Sequence, residues 1–306
     1  MKTKNSILYT LFVLEILATP LSFSVKPDNA AVATNSTNSC PLDISKNLYL
    51  GKLYYGGGQD FDKDFTKAKE LLEPAAQQTA DPAAQAEAQL YLGLIYYWGH
   101  RTAQDYTKES NHSDQEQQDN GFKAYSYFKS AAEQTAHKEA QSEALLSLGM
   151  MHLLGNGTTQ DVTQAFTCFK QAESLATEPK IKNGASFFLG KMYYLGQGVS
   201  QDYLKAFTYF IAASNSTNPT LKRDSLNLLE KMYQSDVGFS SPNATECIIC
   251  MIPAKNIQPK NPLVMLPCPK NHPNDAICRS CLRALMENAN KCPLCRSTML
   301  QLTIPK

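Results

Sequence analysis

Net charge is the first thing missing. The 306 residues carry 29 Lys and Arg against 28 Asp and Glu, so no bulk charge draws the chain to nucleic acid or to an anionic membrane. A membrane-length apolar run is missing too. The stretch from Ser6 to Leu21 is about 16 residues and contains Glu15 and Pro20, whereas a span needs roughly 20. Cysteine is scarce through the first 246 residues, where only Cys40 and Cys168 occur. The other seven of the nine fall between Cys247 and Cys295. Apolar material is plentiful, with 43% hydrophobic and 19% charged residues, which excludes a wholly disordered chain and a polytopic membrane protein. The length suggests two units at about 150 residues per domain. Charge is also unevenly spread. Residues 241–306 hold eight Lys and Arg against three Asp and Glu, so +5, leaving −4 for residues 1–240.

The N-terminus reads as an address. Lys2 and Lys4 precede the apolar run, and Ser22-Phe23-Ser24 puts small residues where a signal peptidase reads. Residues 1–24 are therefore expected to be a cleaved export signal rather than an anchor. Cys40 lies too far downstream to be a lipid-modified N-terminus, and residues 25–43, rich in Asn, Ser and Thr, read as a flexible leader.

Residues 44–236 repeat themselves. Leu48 to Tyr55 (LYLGKLYY), Leu90 to Tyr97 (LYLGLIYY), Leu146 to Leu153 (LSLGMMHL) and Phe187 to Tyr194 (FFLGKMYY) align on Gly51, Gly93, Gly149 and Gly190. Those glycines are 42, 56 and 41 residues apart, and a degenerate fifth copy runs from Leu228 to Tyr233. Each complete copy leads into a second helical stretch: Thr66 to Ala76, Phe122 to Glu133, Val162 to Ala172 and Leu204 to Ala213. Apolar residues at helical spacing predict stacked helix–turn–helix units, with glycine and alanine permitting close backbone approach. Asp161 and Asp202 stand where a carboxylate can cap the second helices. The longest interval holds a polar insertion, 106–120, expected to be a solvated loop of the kind a solenoid tolerates. The last copy, lacking a partner helix, is expected to act as a cap. The tyrosine pairs Tyr54-Tyr55, Tyr96-Tyr97 and Tyr193-Tyr194 are expected to pack in the core. Cys168 reads as an inert buried thiol.

The fourth copy carries Ala185, Leu189-Gly190, Tyr193, Gly196, Gly198, Val199, Asp202, Lys205-Ala206, Tyr209 and Ala212-Ala213. In these positions it resembles the Sel-like repeat (SLR) family, relatives of the tetratricopeptide repeat. The resemblance implies a mainly α fold, an α-helical repeat solenoid wound as a right-handed superhelix that holds proteins together without catalysis of its own.

The C-terminal cysteines follow a metal spacing: Cys247-x2-Cys250-x17-Cys268-x3-His272-x5-Cys278-x2-Cys281-x10-Cys292-x2-Cys295. Two residues between thiolates let both reach one zinc, and eight ligands make two closed, structural tetrahedral sites. So short a segment lacks the apolar core to fold alone, and zinc binding supplies the stability. Seven thiolates and two Zn²⁺ change +5 to +2, which is no strongly basic nucleic-acid surface. Disulfides are the other reading, which export permits but an odd cysteine count disfavours.

The ligand order, ending in Cys-Pro-Leu-Cys-Arg, resembles the RING finger of ubiquitin-protein ligases. The resemblance implies a small two-zinc cross-braced domain over 247–296, after a 237–246 linker and before a 297–306 tail. One zinc would take Cys247, Cys250, Cys278 and Cys281, the other Cys268, His272, Cys292 and Cys295. The interval between His272 and Cys278 exceeds the family's two or three residues, and a bulge through 273–275 accommodates it. Ile249, Leu285 and Pro293 would dock a ubiquitin-conjugating enzyme, and Arg296 would take the catalytic position across the enzyme–ubiquitin seam. The expectation is an exported ubiquitin ligase whose repeats recruit an unknown substrate protein. A non-enzymatic scaffold with a structural zinc module is the alternative. Ubiquitin is cytosolic, so export followed by delivery into a host cytoplasm reconciles the two, with an endoplasmic-reticulum lumenal or periplasmic location as the alternative.

Overall fold

A computed structural model describes residues 41–57, 62–98, 114–234, 263–265 and 276–278. Among the described residues nine helices precede two short strands. The first helices of the repeats are α1 (Pro41–Gly56), α3 (Pro82–Trp98), α5 (Lys138–Leu154), α7 (Pro179–Leu195) and α9 (Pro219–Gln234). The second helices are α2 (Phe65–Gln77), α4 (Asp114–Glu133), α6 (Val162–Leu175) and α8 (Tyr203–Ser214). Strands β1 (Leu263–Met265) and β2 (Ala276–Cys278) form an antiparallel pair. The chain divides into two compact units, Met1–Ile181 and Lys182–Lys306.

Local chemistry sets the helix ends. Proline opens α1, α3, α7 and α9, where its fixed φ suits the helix and its missing N–H would have had no partner. Three of the second helices, α2, α6 and α8, begin on a capping aspartate, as expected for two of them. Asp161 accepts from the Thr163 and Gln164 amides, and Asp202 accepts from the Lys205 amide. Asp64 does the same for Lys67. Three of the first helices, α3, α5 and α9, have their own caps, twelve positions before the repeat glycine or its counterpart. There Asp81 accepts from Ala83 and Ala84, His137 from Ala140, and Asn218 from Thr220 and Leu221. Helix α5 ends at Gly155, whose φ of 70° lets its amide reach the Met151 carbonyl.

In the first unit, the core is built where a first helix meets the second helix of its own repeat. Gly51 faces Leu72, Gly93 faces Phe128 and Gly149 faces Phe169, each of these partners fully buried. A Cβ at those glycines would lie 2.7, 2.6 and 2.5 Å from its partner's side chain, well inside van der Waals contact. Ala68, Ala124 and Ala165, fully buried on the second helices, keep the backbones close. The second unit repeats the arrangement with Gly190 against Phe210, and α9, whose Leu221, Leu229 and Met232 are buried, packs on α8.

The tyrosine stripes divide between core and rim. Tyr97 and Tyr193 are buried, while Tyr54, Tyr55, Tyr96 and Tyr194 are half-buried. Tyr96 stacks on Tyr127 and Tyr193 on Tyr209, both at 5.7 Å between ring centroids. A lysine from the following second helix caps the ring, Lys123 over Tyr96 at 5.4 Å and Lys205 over Tyr193 at 5.2 Å.

Two expectations are corrected. Residues 114–120, read from sequence as part of a solvated loop, form the first two turns of α4. Polarity signals solvation rather than loop, and the Gln and Glu residues of this stretch have nearly the helix propensity of alanine. The extension is also anchored, since Asn120 is buried and the Gly121 backbone packs against Gly157. The flexible leader read for 25–43 is corrected at its end, where 41–43 form the first turn of α1, opened by Pro41. Residues 99–113, the signal segment, the rest of the leader and the linker lie outside the described residues.

Candidate functional site: an acidic pocket in the first unit

Of the expected zinc ligands, only Cys278 falls on a described element, closing β2 with its backbone in register with Leu263. Cys268 and His272 belong to the ten-residue connection between the strands. Cys247, Cys250, Cys281, Cys292 and Cys295, with Ile249, Leu285, Pro293 and Arg296, also lie outside the described residues. Among the described residues no cluster of His, Cys, Asp or Glu is grouped to hold a metal, and no helix is long and apolar enough to cross a membrane. Cys168 is buried, and its surroundings push the thiol up to about 11, so at neutral pH it holds its proton.

The first unit carries a pocket of about 220 Å³ between the first helices, lined by Glu87, Tyr91, His137, Glu139, Glu143, Glu178 and Lys180, with Leu90, Ala140 and Ile181 supplying apolar wall. Helix α3 presents Glu87 and Tyr91 one turn apart, and α5 presents Glu139 and Glu143 at the same spacing, so two carboxylate-bearing faces converge. Lys52 of α1 donates to the Glu87 carboxylate, and its ammonium stands 5.6 Å from the Tyr91 ring centroid. Tyr55 meets Tyr91 edge-on at 5.2 Å.

The carboxylates differ in environment. Glu139 accepts from the Thr177 hydroxyl at 2.7 Å, and this bond, with its own backbone amide and the Lys138 charge, holds its carboxyl below the usual range. His137 accepts from the Ala140 amide through Nδ1, so that nitrogen carries no proton and its 3.6 Å approach to Glu139 is no hydrogen bond. Glu143 is the opposite case. The residue is half-buried, and burial pushes its carboxyl up despite the Lys180 charge, with Glu178 and Glu87 adding to the rise. Burial, then the Glu143 charge, likewise raises the phenols of Tyr55 and Tyr91. The pocket is built to accept hydrogen bonds and positive charge. It offers no nucleophile paired with a base.

Sequence reading passed over this site, although a signal existed. Glu87 and Glu143 occupy the same repeat position, six residues before Gly93 and Gly149, in the matching strings Ala-Glu-Ala and Ser-Glu-Ala. Alignment on the glycines drew attention to what the copies share for packing and away from a shared polar position.

Comparison with known proteins places the repeats. The Sel1 repeat model matches residues 47–79, 86–108, 114–135, 142–176 and 184–218. No curated protein matches the chain. Among solved structures, a Sel1 repeat protein from Oxalobacter formigenes is 21% identical, with 62% of this chain and 65% of that one covered and a TM-score of 0.42. The protein c5321, a protective antigen of uropathogenic Escherichia coli displaying an SLR fold, is 23% identical over 62% of this chain and 49% of its own, with a TM-score of 0.31. The chain thus spans just under two thirds of the first and about half of the second.

Proposed function

Since this chain belongs to the Sel1 repeat proteins, whose helical arrays bind protein partners, we propose that it is an exported RING-type ubiquitin ligase in which the array recruits a substrate protein. The observation that carries the ligase half is the ligand order from Cys247 to Cys295 together with Ile249, Pro293 and Arg296, three residues that metal binding alone does not require. The β1–β2 pair is compatible with it. The hairpin ends on Cys278 and spans Cys268 and His272 in its connection, so three ligands of the two interleaved sites belong to one short stretch of chain.

The mechanism is positional. The zinc module forms no covalent intermediate. Ile249, Leu285 and Pro293 hold the charged conjugating enzyme, and Arg296 restrains the ubiquitin thioester so that a substrate lysine meets it in reacting geometry, an effect worth several kcal/mol of barrier. Arginine suits that position because its planar fork bonds two acceptors at once. The awkward fit of an export signal with cytosolic ubiquitin favours a second reading, a secreted scaffold whose zinc module is a rigid contact surface.

Reconstitution with activating enzyme, a panel of conjugating enzymes and ubiquitin separates the two. The ligase reading expects chains from the full-length protein, loss of conjugating-enzyme binding in Ile249→Ala, and slowed discharge with intact docking in Arg296→Ala. A zinc-loaded protein inactive with every conjugating enzyme supports the scaffold instead.

A further inference from the structure

The pocket between α3 and α5 holds more negative charge than the protein itself compensates. Four carboxylates, those of Glu87, Glu139, Glu143 and Glu178, face three ammonium groups, those of Lys52, Lys138 and Lys180. Two of the four are accounted for: Glu87 accepts from Lys52, and Glu139 accepts from Thr177. Glu143 is different. It lines the pocket half-buried, with Lys180 as the positive charge acting on it. A carboxylate so placed is open to a charged donor that a partner brings into the pocket.

We propose that this pocket receives an arginine side chain presented by a partner protein. Three features select that guest. The Glu143 and Glu178 carboxylates are acceptors for a guanidinium fork, which pairs with carboxylates through two parallel bonds. Tyr91 supplies an aromatic wall against which a weakly hydrated planar cation packs, as the Lys52 ammonium already does from the α1 side. Leu90, Ala140 and Ile181 line the rest and suit the three methylenes of an arginine stem. The volume of about 220 Å³ admits one such side chain and excludes a folded element, so the contact is a single anchor within a larger docking surface. The inference rests on the protein-binding reading of the repeats and not on the ligase reading.

The test uses the full-length protein, N-acetyl-arginine amide as probe and no ubiquitin component, so its outcome is independent of ligase activity. Backbone amide NMR of the wild type should show saturable shifts centred on residues 87–91 and 139–143. Glu143→Gln should weaken binding about tenfold, as expected for loss of one charge-assisted contact. The same variant should keep or raise the thermal midpoint, because it removes an uncompensated charge, so lost binding cannot be blamed on unfolding. Glu133→Gln, on the exposed end of α4, should change neither quantity. Absence of saturable shifts at these residues, equal binding by N-acetyl-glutamate amide, or unchanged affinity in Glu143→Gln would overturn the proposal.

Discussion

Replacing Gly149 with alanine perturbs the contact on which the repeat architecture rests. The new methyl would sit 2.5 Å from Cε1, 2.7 Å from Cδ1 and 3.0 Å from Cζ of Phe169, a ring that is fully buried. Carbon atoms prefer about 3.5–4.0 Å, so the ring or the helix must retreat by roughly 1 Å. Overpacking of this kind costs about 1–3 kcal/mol. Alanine would return about 1 kcal/mol of helix propensity relative to glycine. Because the Phe169 ring is fully buried, the clash should fall at the upper end, leaving a net loss of about 1–2 kcal/mol. At about 2–4 °C per kcal/mol for a domain of this size, the midpoint should drop by roughly 2–8 °C. Thermal melts followed by far-ultraviolet circular dichroism on the full-length protein measure it. The first repeat shows the remedy, since Leu72 stands there where the third has Phe169. Combining Gly149→Ala with Phe169→Leu should therefore cost less than the sum of the two single changes, with a coupling of at least about 0.5 kcal/mol. A stabilising Gly149→Ala, or strict additivity in the cycle, would refute the close-approach reasoning.

Asp161→Ala deprives the Thr163 and Gln164 amides of their acceptor and should cost about 1 kcal/mol by chemical denaturation, with Asp161→Asn recovering most of it. Cys168, its thiol pushed up to about 11, should resist a thiol reagent at neutral pH in the native state and react on unfolding, which stopped-flow labelling of a variant lacking the other cysteines reads directly. Glu143 binds its proton more tightly in the folded state than its ordinary 4.5 allows, so between that value and the raised folded one the native protein holds the extra proton. Stability attributable to this group is thus full below the unfolded value and is lost as pH rises through the window. The midpoint difference between Glu143→Gln and wild type should be near its minimum in acid and grow toward neutral pH; a flat difference would contradict the sign.

Most of the repeat array was legible in sequence because one constraint recurs at fixed spacing. Gly51, Gly93, Gly149 and Gly190 mark the close approach, and the aspartates at 161 and 202 mark the second-helix starts. Two features escaped. The first turns of α4 were concealed by a composition that signals solvation without distinguishing a polar helix from a loop. The pocket escaped because its carboxylates come from separate places along the chain, Glu87, Glu139, Glu143 and Glu178, and only the stacking of the helices brings them together. The cysteine array is the reverse case, since the zinc proposal rests on residue spacing alone and owes nothing to distant packing.

The ligase reading stands on that spacing, and metal stoichiometry tests it most directly. Native mass spectrometry of the full-length protein, purified with zinc and reductant, should find two zinc ions per chain, and Cys278→Ser, at the end of β2, should release one or both. A zinc-free protein with its C-terminal cysteines joined in disulfides, or a single zinc unaffected by Cys278→Ser, would contradict the two interleaved sites and with them the ligase.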